Sequence, residues 1–186
     1  MFKGKALGAS GTSVGEIAFN TGMYGYQEIF TDPSYHKQML VMATPHIGNY
    51  GVHDEEMESE GIKVAGIVVR NFSTIASRVG GSGTLQYNLE QSGTVGISDV
   101  DTRALVRHIR MNGAMNCILS TEEFDVDNLK QKLAEVPSME GLALSGEVSV
   151  NEAYDFNEIN DGYRIAILDL GLKKSIATCL ADRGCD

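Results

Sequence analysis

The sequence has no tryptophan, three prolines and three cysteines. Cys117, Cys179 and Cys185 are odd in number and include no Cys-x-x-Cys pair, so neither a disulfide framework nor a zinc site follows. A buried thiol is the default for each. His36, His46, His53 and His108 form no ligand pattern with cysteines or carboxylates. Basic residues are few: 15 Lys and Arg against 25 Asp and Glu leave a net charge of −10. That disfavours a nucleic-acid partner and suits either solubility or docking on a basic surface. No apolar run approaches the ~20 residues that span a bilayer. Met1 to Lys5 lacks the apolar core of a signal peptide, so no membrane partner and a cytoplasmic location are expected. There is no internal repeat and no low-complexity tract.

An apolar share of 42% over 186 residues can build a real core. The length suits one domain, or one domain plus a fragment of another. Gly4, Gly8, Gly11 and Gly15 do not have the phosphate-loop spacing and read as turns between short strands. Strands are expected at 14–19, 37–43, 62–70, 94–98 and 114–119, the last burying Cys117. Helices are expected at 24–30 and 82–91. The second has Ser82 as a possible N-cap, Leu85 and Leu89 on one face and Gly93 as its stop. A third helix begins at Asp99-Val100-Asp101-Thr102. Ala104, Leu105, His108 and Ile109 point inward there, Arg103, Arg107 and Arg110 outward, and Gly113 ends it. A fourth spans 127–134, with Leu129 and Leu133 inward and Pro137 beyond it. The acidic stretch 52–61 reads as a solvated loop, since its carboxylates have no fixed ligand spacing. Residues 141–154 are mixed in pattern and expected to wrap the surface. Residues 155–162 are the best linker. Tyr163 to Gly171 reads as a buried strand and Leu172 to Arg183 as a helix. In that helix Ile176, Leu180 and Ala181 face inward, Lys173, Lys174 and Arg183 outward, and Gly184 caps the end. Together they form the first βα unit of a parallel sheet. A lone unit of this kind cannot cover its strand, so the chain is expected to be a piece of a longer protein. The fold class is α/β.

The densest turn chemistry lies between Asn20 and Gly51. Gly22 and Gly25 allow unusual backbone angles, and Asp32-Pro33-Ser34 is a turn tripeptide. Thr44 to Asn49 forms a second irregular segment after an apolar run. Polar loops flanking a strand either present side chains from a rigid base or simply connect elements.

Five pieces of this stretch stand together: Gly15-Glu16, Phe19-Asn20-Thr21, Gly25-Tyr26-Gln27-Glu28-Ile29, Thr31-Asp32-Pro33-Ser34-Tyr35 and Pro45-His46-Ile47-Gly48-Asn49. With Asp54-Glu55-Glu56, Gly66, Val69-Arg70, Ala76-Ser77 and Asp99 to Arg103, the chain resembles the small, glutamine-hydrolysing subunit of carbamoyl phosphate synthetase over nearly its whole length. The resemblance implies an amino-terminal mixed sheet-and-helix domain at 1–154 and a linker at 155–162. The start of a class I glutamine amidotransferase domain follows at 163–186. Asp169-Leu170-Gly171-Leu172-Lys173 resembles that domain's Asp-Phe-Gly-x-Lys opening, with Leu170 replacing the aromatic. In the family a strand precedes the position of Phe2; either the start lies upstream or that strand is missing, which would leave a sheet edge short.

What the resemblance implies for function is glutamine hydrolysis. The ammonia passes to a large synthetase subunit, the expected partner, which makes carbamoyl phosphate for arginine and pyrimidine synthesis. ATP and Mg are expected on that large subunit, with no cofactor in this chain. Amide hydrolysis needs a thiolate, a histidine base, an orienting carboxylate and an oxyanion hole. The family's nucleophile sits in a Gly-x-Cys-x-Gly elbow, which none of the three cysteines occupies, so no catalytic residue is expected in this stretch. One substrate-binding residue carries over by resemblance: Ser34, the serine of Asp-Pro-Ser-Tyr, as a glutamine contact. The same serine could merely close its turn, and the two roles are compatible. Tyr35 and His46 are read as packing or loop-fixing residues. A non-catalytic binding or scaffold module derived from the subunit is the alternative.

Overall fold

The computed structural model describes residues 1–157 and 162–186. Among them are eight strands: β1 (Lys5–Gly8), β2 (Thr12–Asn20), β3 (Gln38–Met42), β4 (His46–Ile47), β5 (Gly66–Val68), β6 (Asn71–Phe72), β7 (Val95–Ser98) and β8 (Asn116–Ser120). Six helices accompany them: α1 (Tyr26–Thr31), α2 (Leu85–Gln91), α3 (Thr102–Asn112), α4 (Val126–Ala134), α5 (Ser145–Val148) and α6 (Lys174–Ala181). Six strands form one mixed sheet in the order β1-β7-β5-β3-β2-β8. Its three inner pairings are parallel and its two outer ones antiparallel. The short β4 and β6 pair in parallel beside it.

Strand alternation sorts the core into two layers. Successive side chains of a strand point to opposite faces. Leu40 and Met42 therefore enter one layer with Tyr26, Phe30, Ile67 and Leu89. Met39 and Val41 enter the other with Ile17, Val68, Leu105 and Ile109. The central position of β3 and β5, buried on both faces, explains why they read as continuous apolar runs rather than alternating ones. On one face α1 and α2 supply the cover; on the other, α3 does. At the start of α3 the Asp101 carboxylate accepts from the Ala104 N–H at 3.0 Å, and Gly113 ends it in the left-handed region.

Several expectations are corrected. Helix α2 is capped by Thr84, whose hydroxyl accepts from the Tyr87 N–H, and not by Ser82. The predicted strand at 62–70 shrinks to Gly66–Val68, because Lys63 and Ala65 donate their amides to Phe30 and Gln38 outside any continuous ladder. His108 is exposed: the inner face of α3 runs through Thr102, Leu105 and Ile109, and His108 falls beside it. In α6 the buried residue is Ala177, while Ile176 is 47% exposed. Residues 141–154 include the short helix α5.

The largest correction concerns 163–171. Among the described residues this segment joins no sheet, and its one bridge there runs from Tyr163 to Cys185. Tyr163 and Leu168 are 84% and 83% exposed. A strand of a parallel sheet is buried by neighbours on both edges and layers on both faces. Among the described residues no such neighbours flank it. A cavity of about 570 Å³ lies between this segment, residues 150–157 and α6. Of the expected linker at 155–162, residues 158–161 lie outside the described residues.

Candidate functional site

The turn bearing Ser34 is fixed from three directions. Pro33 to Tyr35 make one 3₁₀ turn capped by Asp32, whose Oδ1 accepts from the Ser34 N–H at 2.8 Å. Proline at the first helical position suits such a turn, because its missing N–H would have had no partner. The second anchor is Tyr35, whose hydroxyl accepts from Asn20 Nδ2 at 3.0 Å, tying the turn to the end of β2. Third, Asp32 Oδ2 lies 2.7 Å from the Lys173 ammonium. Lys173 therefore does not face out as the helical spacing predicts. The Asp32 carboxylate beside it raises its pKa, against a smaller opposing effect of burial.

Ser34 itself is exposed, and its hydroxyl has no hydrogen-bond partner among the described residues. Its amide closes the turn, so the hydroxyl is left over for another contact. The turn and the free hydroxyl are thus served by separate atoms of one residue.

The string Gly25 to Ile29 is accounted for by packing. Gly25 sits at φ 78°, where a side chain would be strained, and opens α1. The Tyr50 hydroxyl accepts from the Gly25 and Tyr26 amides at 2.7 and 3.0 Å, and the two tyrosine rings stack 4.1 Å apart. Tyr26 donates its hydroxyl to the Gly51 carbonyl at 2.6 Å. Gln27 pairs with the His53 main chain in both directions. These bonds hold α1 against residues 50–53, and so fix the helix that leads into Asp32. Glu28 curls beside Gly25; burial first, with the carboxylates of Glu56 and Glu58 adding, raises its pKa.

A further contact brings the carboxy-terminal segment to this turn. A Cβ on Gly171 would lie 2.8 Å from Val148 Cγ2 and 3.3 Å from Pro33 Cβ, and φ there is 105°, so glycine suits this close passage between Val148 and Pro33. The Asp169 carboxylate shapes that passage, accepting from the amides of Gly171 and Leu172 at 2.7 and 2.8 Å. Partial burial pushes its pKa up, but the backbone donors from Leu172, Gly171 and Val150 outweigh this and hold it low. Sequence reasoning singled out Asp169-Leu170-Gly171 but not its packing beside Pro33, which depends on a separation of more than a hundred residues. Nearby, Glu147 of α5 meets Lys37 and His36 at 2.7 and 3.1 Å.

His46 is exposed and lies in β4, paired through its backbone with Asn71. Cys117 is largely buried on β8, and that burial pushes its thiol up to about 12, away from nucleophilic use. Cys179 is exposed and Cys185 half-buried. Among the described residues no three metal-ligating side chains cluster, and no helix is long and apolar enough to cross a membrane.

Residues 1–119 match the family described as carbamoyl-phosphate synthase small chain, CPSase domain. The chain is also similar to curated proteins named carbamoyl phosphate synthase small chain. That of Streptomyces coelicolor is 44% identical over 99% of this chain and 49% of its own length. That of Thermotoga maritima is 46% identical over 94% of this chain and 44% of its own. The Vibrio parahaemolyticus protein is 39% identical over all of this chain and 53% of its own. The chain spans about half the length of the curated relatives it matches.

Proposed function

The chain belongs to the carbamoyl-phosphate synthase small-chain family, and on that premise we propose that it forms the amino-terminal part of a subunit that hydrolyses glutamine. The ammonia would go to a large synthetase subunit, its partner, where ATP and Mg drive carbamoyl phosphate formation for arginine and pyrimidine synthesis. The proposed division is an amino-terminal domain at 1–154, a linker at 155–162 and the opening of the amidotransferase domain from 163. The setting would be the cytoplasm.

In this reading Ser34 contacts glutamine and residues elsewhere in the subunit perform the hydrolysis. The observation that carries it is the pinned turn with one free, exposed hydroxyl, set where the amidotransferase opening packs. A hydroxyl can donate to a carboxylate or accept from an ammonium, so it can hold either polar end of an amino acid. The buried, high-pKa Cys117 supports the view that this stretch alone does not cleave amides.

The test is Ser34→Ala in a full-length small chain assembled with its large subunit. Glutamine-driven synthesis should show a KM raised roughly tenfold, the cost of about 1.4 kcal/mol for one lost hydrogen bond to a charged group. Ammonia-driven synthesis should be unchanged. Equal loss of both activities would assign Ser34 to folding instead.

A further inference from the structure

Helix α6 starts without a cap of its own. Its N-cap residue is Lys173, whose side chain has no acceptor to offer the free amides of the first turn. The acceptors come from the acidic loop more than a hundred residues earlier. The Lys174 N–H donates to the Glu58 carbonyl at 2.8 Å, and the Ser175 N–H donates to Glu58 Oε2 at 2.9 Å. A carboxylate there also complements the positive end of the helix.

The other side of Glu58 is bound to the end of α1. Its N–H donates to Thr31 Oγ1 at 2.9 Å, and the adjacent Ser59 hydroxyl donates to the Thr31 carbonyl. Thr31 is fully buried and returns its own hydroxyl hydrogen to the Gln27 carbonyl at 2.9 Å. An unbroken chain of hydrogen bonds thus runs from α1 through Thr31 and Glu58 to α6. It lies alongside the Asp32–Lys173 pair. Of the five acidic residues between 54 and 60, only Glu58 turns to α6; Glu56 pairs with Arg78, and Glu60 is exposed. The loop is therefore more than a solvated acidic surface.

We infer that Glu58 is a positioning residue, a latch that sets where the segment opening at 163 stands relative to the Ser34 turn. Its consequence for catalysis rests on the proposed glutamine contact of Ser34. The latch itself does not.

Two readouts in a full-length small chain carrying this sequence, assembled with its large subunit, decide the matter. Amide hydrogen exchange reads the latch directly, because first-turn amides of a helix ordinarily exchange freely. Glu58→Ala should speed exchange at Ser175 about tenfold, with Glu58→Gln, which keeps an acceptor, between it and the parent. Glu60→Ala should match the parent. Kinetics read the consequence: Glu58→Ala should raise the KM for glutamine several-fold and leave ammonia-driven synthesis unchanged, again with Glu58→Gln intermediate. Unchanged exchange at Ser175 in Glu58→Ala overturns the latch. So does an unchanged glutamine KM in Glu58→Ala when Ser34→Ala raises it. If Ser34→Ala changes nothing, the glutamine reading fails, and faster exchange at Ser175 still supports the latch.

Discussion

Replacing Asp32 with asparagine isolates the charge of one buried carboxylate. The Asp32 side chain is 7% exposed and that of Lys173 41%, with 2.7 Å between the paired atoms. At an effective dielectric near 20 the gross attraction is about 6 kcal/mol. Desolvation of the carboxylate offsets most of that. The half-exposed ammonium is screened by water, which lowers the remainder further. A net contribution of about 1–2 kcal/mol follows. Asparagine keeps an oxygen for the Ser34 N–H, so the turn survives Asp32→Asn. Asp32→Ala also removes the cap and should cost about 1 kcal/mol more. With no tryptophan in the chain, urea unfolding is best followed by far-ultraviolet circular dichroism. A double-mutant cycle with Lys173→Met should give a coupling of about 1 kcal/mol. Since pairing raises the pKa of Lys173, its contribution is complete below the unfolded value near 10.5 and fades as pH rises through the higher folded value. The difference between parent and Lys173→Met should therefore narrow in strongly alkaline solution. Parent-like stability of Asp32→Asn, or zero coupling in the cycle, would refute the reasoning.

Thiol labelling at pH 8 should modify exposed Cys179 quickly and Cys117 only after unfolding, because burial holds the Cys117 thiol protonated; comparable rates would contradict this. Gly66→Ala should destabilise by about 1–3 kcal/mol in urea melts, since a new Cβ would sit 2.6 Å from Met39 Sδ and 2.8 Å from the Val95 carbonyl. Lys37 first, then His36, holds the Glu147 carboxyl below its usual 4.5. The tie from α5 to the residues just before β3 is therefore intact above that pH and lost as pH falls through the lowered value, which amide exchange across 145–148 can follow. Thr84→Ala should cost about 1 kcal/mol by removing the α2 cap, whereas Ser82→Ala should not, as paired melts would show.

Local pattern carried much of the architecture. β-branched and apolar runs located the inner strands, and Asp101 with Gly113 bounded α3, because caps and alternation act over a few residues. The same reasoning placed the turn at Asp32-Pro33-Ser34, while Ser34 was singled out by the family resemblance alone. It misplaced His108 and Ile176, where helical spacing leaves about one residue of ambiguity in which side chain faces the core. It also overstated 163–171, since an apolar run marks a strand's need for neighbours and not their presence.

What the sequence determined alone was family membership, five of the six strands of the main sheet (β1 was read as turns) and the residue types at the turn, for which short-range pattern suffices. Only tertiary structure decided that Lys173 reaches Asp32, that Gly171 passes Pro33 and that Glu58 caps α6. Those contacts join residues more than a hundred positions apart. No local propensity encodes such a pairing; it exists only once the sheet and its covering helices bring the two ends of the chain together.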